Sequence, residues 1–379
     1  MFTTLVEEFV INKNEVVVIA PGRDVTGMRK ENHIDVLRVK TLPIKNVSNY
    51  IKGISNLLLP FQFQNALNIC YPNTKFDLII SSTPPITLAG LTAKLKRKHK
   101  AKFYLILRDI FPQNAVDLGF IREGSILHHF FRNKEKKLYQ EADFIGCMSE
   151  GNVEYVLKHN PSLNRNKLHE LKNFQKLYAD FENDHSNLKK KFGIEGKFVV
   201  VFGGNMGKPQ QLENVLQLAN SCQKYSDVLF LLLGEGIQAK KLAVKIKDMK
   251  VSNIRIQGTI PKQEYQDLLS VCDLGLISLH ENFTIPNIPS KTLDYFNVGL
   301  PVLASIDKAT DYSKVLKQAQ AGLWSYAGDH EQLMENFEIL YLNKNLRECM
   351  GINGRDYFKR FLTPDIAYQK ILDQFNANG

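Results

Sequence analysis

The sequence predicts an α/β protein made of two doubly wound domains, each with a parallel sheet. Short apolar runs of strand length alternate with segments of helical periodicity along the chain, the pattern of repeated β–α–β units. Polar clusters stand where several of these runs stop, as Arg108-Asp109 does after the run Phe103–Leu107. At 379 residues the chain is also too long for one typical core, so two domains are expected.

In the first half, the chain opens with helical spacing over residues 2–10, and another helix is predicted over 125–141. Residues 33–75 are less regular, with amphipathic stretches around 51–69. An α/β domain usually begins with a strand and a ligand-binding turn. Because this half opens with a helix instead, its first strand is expected to be missing. Strands are predicted for four apolar runs, at residues 15–20, 76–81, 103–107 and 144–147.

The second half repeats the alternation and ends in helices predicted over 346–361 and 364–375. Its strands are predicted at residues 198–202, 228–233, 254–256, 274–279 and 301–304. We therefore predict a first domain over residues 1–178, a second over 179–345, and C-terminal helices over 346–379 that cross back to the first domain.

Composition favours a soluble globular protein, with 44% hydrophobic and 23% charged residues. No apolar run approaches the roughly 20 residues that cross a bilayer, and no signal peptide is evident, so a cytoplasmic location is expected. The five cysteines are widely spaced and form no C-x-x-C pair. Neither a zinc site nor a disulfide framework is indicated, and no metal site is predicted.

The formal net charge of +10 suggests an anionic partner. Much of the excess lies in the run Lys94–Lys102. This run has three interpretations: a solvated helix end, a contact with anionic lipid head groups, or a nucleic-acid site. The last is the weakest because the sequence contains no nucleic-acid-binding motif or stacking platform.

The stretch from Ile285 to Ser305 predicts a short helix between two buried strands. Ser290 is expected to cap the helix N-terminus through its hydroxyl, and Gly299 to end it in the left-handed conformation. In a parallel sheet such a helix begins at the carboxyl edge of the strands, so its first N–H groups and Lys291 would face an anion, most plausibly a phosphate. The alternative is an ordinary capped helix with a solvated lysine.

Two glycine-rich turns follow strands of the second half. The turn Gly203–Lys208 lets the backbone approach a ligand closely and adds a lysine that can neutralise phosphate. Its glycine spacing is not that of a dinucleotide fingerprint, so a plain tight turn is the alternative. The turn Gly234–Gly236 ends the next strand and either packs against a base or is structural.

These motifs, with Pro289–Val302 and in this order, closely resemble glycosyltransferase family 4. The resemblance implies the GT-B fold, in which two Rossmann-like domains flank a cleft, and retention of anomeric configuration. The segments Gly204–Leu212, Arg108–Pro112 and Pro289–Lys291 are similar to the branch that builds bacterial O-antigen and capsule, including N-acetylfucosamine transferases. The closing pattern Met350–Arg355 also fits the family.

The resemblance implies a site for the donor nucleotide in the second domain. Lys208 and the helix N-terminus would hold the diphosphate, and Gly234-Glu235 would approach the base and ribose. Family members carry two glutamates eight positions apart; Asp294 occupies the second position, which binds ribose, whereas Pro286 occupies the first. Glu281 or backbone groups of residues 284–289 are candidate substitutes. The full donor-binding set is Gly204, Asn205, Gly207, Lys208, Gly234, Glu235, Ser290, Lys291 and Asp294.

The candidate catalytic residues are Asp109, Arg108 and Lys208. Many family members place a histidine at the end of a strand of the first domain, where this chain has Arg108-Asp109. Asp109 would activate or orient the acceptor hydroxyl, and Arg108 would bind a phosphate or position Asp109. The alternative is a buried structural salt bridge.

The predicted function is a retaining, hexosyl- or N-acetylhexosaminyl-type glycosyltransferase of bacterial surface polysaccharide synthesis. Its donor would be a UDP- or GDP-linked sugar, its acceptor a lipid-linked saccharide, and its location the cytoplasm or the inner face of the membrane. No cofactor and no nucleic-acid partner are expected. Two alternatives stay open: a nucleotide-sugar epimerase or hydrolase of the same fold, and a catalytically inactive, membrane-associated scaffold.

Overall fold

The structure is a computed structural model that describes residues 2–31, 34–43, 49–179 and 185–377. The chain forms two compact units, one comprising Met1–Lys172 with Pro364–Gly379 and the other Asn173–Thr363. Both contain parallel strands flanked by helices, so the predicted α/β class is confirmed. Residues 173–178 belong to the second unit, and of the two final helices only the last belongs to the first.

The first unit alternates strands with helices along most of its length. Its elements are α1 (Phe2–Ile11), β1 (Val18–Gly22), β2 (Gly27–Glu31), β3 (Ile34–Lys40), α2 (Asn49–Cys70), β4 (Leu78–Ser82), α3 (Ala89–His99), β5 (Lys102–Leu107), α4 (Gln113–Asp117), α5 (Ile126–Glu141), β6 (Phe144–Cys147), α6 (Glu150–His159) and β7 (Leu168–Glu170).

The strands of the first unit form two separate hydrogen-bonded sheets among the described residues. One is wholly parallel, in the order β4-β5-β6-β7, with Tyr104 of β5 opposite Phe144 of β6. From Phe103 to Leu107, β5 is buried throughout, as expected for the centre of a parallel sheet. The carboxyl end of β5 is followed directly by Arg108 and Asp109.

The other sheet has the order β1-β3-β2 and corrects the expectation of a single parallel sheet. Strand β3 pairs parallel to β1 but antiparallel to β2, with Met28 opposite Leu37. The sequence Gly27–Glu31 is largely polar, so a search for apolar runs misses β2. Strand β3 does show the alternation of a strand, since Val36 is buried and Asp35 is exposed. No strand was predicted there because residues 33–75 as a whole lack a regular pattern.

The second unit is a more regular doubly wound domain. Its elements are α7 (His185–Lys191), β8 (Phe198–Gly203), α8 (Glu213–Ser221), β9 (Val228–Leu233), α9 (Ala239–Asp248), β10 (Ile254–Gln257), α10 (Lys262–Leu269), β11 (Leu274–Ser278), α11 (Lys291–Val298), β12 (Val302–Ile306), α12 (Tyr312–Ala319), β13 (Gly322–Tyr326), α13 (His330–Leu342) and α14 (Lys344–Phe361).

The sheet of this unit is parallel throughout, in the order β10-β9-β8-β11-β12-β13. The strand order reverses between β8 and β11, because the chain moves outward from β8 to β10 and returns to place β11 on the other side. Ligands of doubly wound domains bind outside the carboxyl ends of the strands at such a reversal. The predicted glycine turn after β8 and the predicted helix after β11 both lie there.

The C-terminal helices were predicted within two residues of their observed bounds. Helix α14 packs on α11, and α15 (Pro364–Ala377) packs on α1 in the first unit. The pattern Met350–Arg355 lies in the contact between α14 and α11. A Cβ atom at Gly351 would lie 2.1 Å from the carbonyl oxygen of Gly299, so only glycine allows this approach. Among the helices of the described ranges, none is both long enough and apolar enough to span a bilayer.

Candidate active site

The two glycine turns of the second unit are locked together through their backbones. Gly204 donates its N–H to the carbonyl of Leu233 (2.9 Å), and Met206 donates to that of Glu235 (2.8 Å). Gly204 and Gly234 have φ values of +124° and +136°. A Cβ atom at Gly234 would lie 1.9 Å from the carbonyl oxygen of Gly204. The backbone of the Gly234 turn therefore holds the Gly204 turn in place. Position 234 requires glycine because a side chain there would collide with the Gly204 carbonyl.

Lys291 connects the helix predicted to bind an anion with the glycine turn after β8. It is the first residue of α11, and its Nζ lies 4.6 Å from the ring centroid of Phe202, near the end of β8. A Cβ atom at Gly204 would lie 3.2 Å from the Cε of Lys291. The structure thus brings together two motifs that lie almost 90 residues apart. Burial lowers the pKa of Lys291 to about 8, against the opposing effect of the Asp294 carboxylate.

The predicted cap at Ser290 is wrong, whereas the predicted helix stop is confirmed. Ser290 already has helical dihedral angles, φ −67° and ψ −21°, and its side chain makes no capping hydrogen bond. The Pro289 carbonyl already accepts from Thr292 N–H (3.2 Å), so the hydrogen-bonded turns begin one residue earlier than the cap would require, and Ser290 is exposed. Gly299 ends α11 in the left-handed conformation with φ +73°.

Asp294 is held by two side chains that the sequence analysis did not select. Its Oδ1 accepts from the Tyr178 hydroxyl (2.7 Å) and from Gln175 Nε2 (2.8 Å). Burial raises the pKa of Tyr178, and the Asp294 charge raises it further, so the phenol stays a donor. Tyr178 and Gln175 fix the orientation of Asp294, and its ribose-binding role stays a prediction.

Asn297 joins residues 173–178, which include Gln175 and Tyr178, to α11 through a second set of hydrogen bonds. Tyr178 N–H donates to Asn297 Oδ1 (2.8 Å), and Asn297 Nδ2 donates to the carbonyl of Lys176 (2.9 Å). The Arg355 guanidinium donates to the carbonyl of Asn297, which explains the last residue of the closing family pattern. No local signal in residues 173–178 indicates these contacts, because they join positions well over 100 residues apart.

The remaining donor-site candidates lie on the turn after β8 and on the loop after β9. Asn205 and Glu235 are exposed, whereas Gly207 is buried and donates its N–H to Gln210 Oε1 (3.2 Å). Lys208 is half-buried at the start of a one-turn 3₁₀ segment. Its charge adds to the effect of burial in lowering the pKa of His280, a residue that the sequence analysis did not select. The roles predicted for these residues stay predictions.

Arg108 and Asp109 lie in the first unit, at the carboxyl end of β5, where they are half-buried. The Thr83 hydroxyl accepts from both backbone N–H groups, at 3.0 and 3.2 Å, and donates to the carbonyl of Asp109 (3.0 Å). Burial raises the pKa of Asp109 to about 6, and the Arg108 charge partly opposes the rise. Burial also lowers the pKa of Arg108. A carboxyl group tuned to this range is suited to proton transfer near neutral pH.

Among the described residues, no group of three or more His, Cys, Asp or Glu side chains is placed to hold a metal ion. The prediction that the protein uses no metal remains a prediction.

Residues 184–357, nearly the whole of the second unit, match the sequence profile of the family described as "Glycosyl transferases group 1". This unit belongs to the group 1 glycosyltransferase family. The match covers the glycine turns, Lys291 and Asp294, whereas Gln175, Tyr178 and the pair Arg108-Asp109 lie outside it.

Curated relatives extend the similarity beyond this domain. The probable glycosyltransferase WbjE of Pseudomonas aeruginosa is 23% identical over 273 residues, covering 72% of this chain and 67% of the relative. The chitobiosyldiphosphodolichol beta-mannosyltransferase of Kluyveromyces lactis is 32% identical over 298 residues, covering 71% of this chain and 65% of the relative. The chain thus spans about two thirds of the length of these relatives.

A solved structure has the same fold over most of the chain. The crystal structure of Anabaena HepE in complex with UDP-glucose aligns with a TM-score of 0.69 at 14% identity, covering 91% of this chain and 86% of HepE. The group 1 domain and the first unit together therefore form a GT-B fold, as predicted.

Proposed function

We propose that this group 1 glycosyltransferase moves a sugar from a nucleoside-diphosphate donor to a lipid-linked saccharide, with retention, in bacterial surface polysaccharide synthesis. The observation that carries the proposal is the approach of Lys291 to the Gly204 turn at the reversal of the strand order. There the positive end of the α11 dipole and one ammonium lie where a diphosphate would bind. HepE, which shares the fold, binds UDP-glucose.

In the proposed reaction, the bond between the anomeric carbon and the β-phosphate oxygen breaks, and its electron pair remains on the diphosphate. Lys291, Lys208 and the N-terminus of α11 stabilise that charge, which is the main contribution expected of the protein. The acceptor oxygen bonds to the anomeric carbon from the face that the diphosphate leaves. Asp109 accepts the hydroxyl proton, and its pKa of about 6 leaves it mostly ionised at neutral pH.

Support for the acceptor and the pathway comes from two sources. The Kluyveromyces relative is named for a dolichol-linked acceptor, which favours a lipid-linked saccharide here. The segments Gly204–Leu212 and Pro289–Lys291 resemble enzymes of O-antigen and capsule synthesis. Retention rests on the family 4 resemblance alone, since the same relative is named a beta-mannosyltransferase. The anomeric configuration of the product therefore needs its own measurement.

The proposed function is tested with a panel of UDP- and GDP-sugars, with and without a polyprenyl-diphosphate-linked saccharide. We expect one donor to raise the melting temperature and to be consumed only when acceptor is present, and proton NMR of the product to show the donor's anomeric configuration. Consumption without acceptor would identify an epimerase or hydrolase instead. Binding without turnover of any donor would identify an inactive scaffold.

We also propose that the first unit contacts an anionic membrane, through a surface made by the neighbouring helices α2, α3 and α5. The outer face of α2 carries an apolar stripe that includes Ile54 (53% exposed) and Phe61 (70%), and α5 begins with Ile126 (90%) and Leu127 (51%). The exposed charges of α3 are all basic, at Lys94, Arg97 and Lys98, with Lys100 directly after the helix, and Arg97 lies 3.5 Å from Glu141 at the last residue of α5.

This combination of apolar and basic groups fits an anionic bilayer, which accepts apolar side chains below its charged head groups. A second copy of the chain is a poorer partner, because a two-fold contact would bring the basic faces of two α3 helices together.

The surface is tested by co-sedimentation with vesicles of phosphatidylcholine alone or with phosphatidylglycerol. We expect binding only to the anionic vesicles, and a reduction of about 5- to 30-fold in the double variant Lys94→Gln/Lys98→Gln, since each surface lysine contributes roughly 1 kcal/mol. Ile126→Ser should weaken binding without changing its salt dependence. Equal binding to both vesicle types, or none, would contradict the proposal.

A further inference from the structure

A cavity of about 270 Å³ opens beside Lys208, within the second unit. It lies between the turn after β8, the start of α8, the start of α9 and the segment after β11. Its lining residues are Gly207, Lys208, Gln211, Glu213, Gln238 and His280. Among these six residues, Gly207 and Lys208 are predicted from the sequence to bind the donor, and the donor diphosphate site does not explain the other four.

The walls of the cavity are fixed by hydrogen bonds between loops. His280 N–H donates to the carbonyl of Pro209 (2.9 Å), and Glu281 N–H donates to Gln211 Oε1 (2.8 Å). On the other side, Gln238 N–H donates to the carbonyl of Met206 (3.0 Å). The loops after β8, β9 and β11 are therefore joined around the cavity. Because these loops are already ordered, ligand binding would lose little conformational entropy.

Gln211 adopts a conformation that glycine usually occupies. Its φ of +38° lies in the left-handed region, which costs free energy for a residue with a Cβ atom. Its contacts include the bond to Glu281, a hydrogen bond from Ser278 Oγ to its carbonyl (3.3 Å) and one from Asn214 N–H to the same carbonyl (3.0 Å). Strained residues cluster at binding sites, and this one contributes its side chain to the wall of the cavity.

The lining groups have the chemistry that recognises sugar hydroxyls. Glu213 offers a carboxylate whose charge is balanced by Lys245 (2.8 Å), and Gln211 and Gln238 offer amides that donate and accept. His280 Nδ1 accepts from Asn282 N–H (3.2 Å), and the pKa of His280 is lowered by burial, so its neutral imidazole carries the proton on Nε2. Among the described residues that line the cavity there is no Phe, Tyr or Trp to stack on a nucleobase.

The size of the cavity favours a single sugar unit. Pockets for drug-sized ligands measure about 300–1,000 Å³, and this cavity lies just below that range. Lys208, proposed to contact the diphosphate, forms one of its walls, which places the cavity next to the reacting part of the donor.

We propose that this cavity is a saccharide subsite that binds one pyranose ring through Gln211, Glu213, Gln238 and His280. The inference rests on the proposed function, and it supplies a carboxylate for sugar binding in a chain that has Pro286 at the usual family position. The ring belongs either to the nucleotide-sugar donor or to the end of the acceptor. Both sources present the same chemistry, adjacent equatorial or axial hydroxyl groups on a six-membered ring.

The test compares Gln238→Leu and Glu213→Gln with wild-type protein. Gln238 makes no capping hydrogen bond, and Glu213→Gln keeps the shape and the acceptor oxygen of the first residue of α8, so both variants should fold. Lys245→Met is the matched control, because it breaks the ion pair to Glu213 without removing a lining group. Affinities for the nucleoside diphosphate and for the nucleotide-sugar are measured by calorimetry, and the acceptor KM is measured by turnover.

If the ring is the donor's, both variants should weaken nucleotide-sugar binding about 5- to 30-fold, the loss expected for one hydrogen bond to a hydroxyl, and leave nucleoside-diphosphate binding unchanged. If it is the acceptor's, both affinities should stay unchanged and the acceptor KM should rise by a similar factor. Unchanged values throughout would overturn the subsite while leaving the proposed function intact. A wild-type protein that binds and consumes no nucleotide-sugar would overturn both.

Discussion

Lys291→Met is expected to weaken nucleoside-diphosphate binding by about 10- to 100-fold, because a charge-assisted hydrogen bond to phosphate contributes roughly 1.5–3 kcal/mol. Methionine has nearly the shape of the lysine stem, so packing over Phe202 and against Gly204 should survive. Calorimetric titration with UDP and GDP measures the loss. Turnover with the identified donor should fall at least as much, since the lost charge also stabilises the leaving group.

The same variant should lose a pH dependence that the wild-type protein shows. The pKa of Lys291 is lowered to about 8, so the ammonium is present below that pH and is lost above it. Wild-type affinity should therefore decline from pH 8 upward, by up to about tenfold per pH unit, whereas that of Lys291→Met should stay flat. Lys240→Ala, an exposed lysine of the same unit, is the control. An unchanged affinity for Lys291→Met at pH 7 would show that the diphosphate binds elsewhere.

Asp109→Asn is expected to lower turnover by about 10²- to 10⁴-fold, the usual contribution of a positioned general base. Asparagine preserves shape, and the Thr83 contacts use backbone atoms of residue 109, so folding should be retained. In the wild-type protein the rate should fall as the pH drops through about 6, where the carboxylate takes up its proton. The residual rate of the variant should lack this step.

The stability of Asp109→Asn should rise although its turnover falls. This result distinguishes a functional carboxylate from a structural salt bridge, whose loss would lower stability. The pKa of Asp109 is raised from 3.8 to about 6, so the folded protein binds this proton more tightly than the unfolded chain does. The native state loses stability from this group as the pH rises from about 4 to 6. At pH 7.5 Asp109→Asn should therefore be more stable by on the order of 1 kcal/mol, an estimate reduced for solvent screening.

Thermal unfolding at pH 4 and pH 7.5 measures this difference, which should vanish at the lower pH. Glu123→Gln removes an exposed carboxylate from the same unit and should change neither stability nor turnover. A less stable Asp109→Asn protein at pH 7.5 would support a structural ion pair with Arg108 and contradict the catalytic role.

The alternation of buried strands and capped helices allowed the α/β class and most elements of the second unit to be predicted. Periodicity and glycine stops are local signals, so Gly299 and the apolar run of β9 are readable from neighbouring residues. The motifs around Lys291 and Gly204 also indicated a phosphate site. The polar strand β2 was missed because its stability comes from pairing with β3.

By itself, the sequence determined the fold class and the residue types available for binding a nucleotide-sugar, because these follow from local pattern and chemistry. Only the tertiary structure decided that Tyr178 and Gln175 orient Asp294, that Gly351 packs against Gly299, and that Lys291 reaches the turn at Gly204. These contacts join residues far apart in the chain, and their geometry depends on how whole elements pack. The same packing shifts the pKa values of Asp109 and Lys291, since burial exists only once the chain has folded.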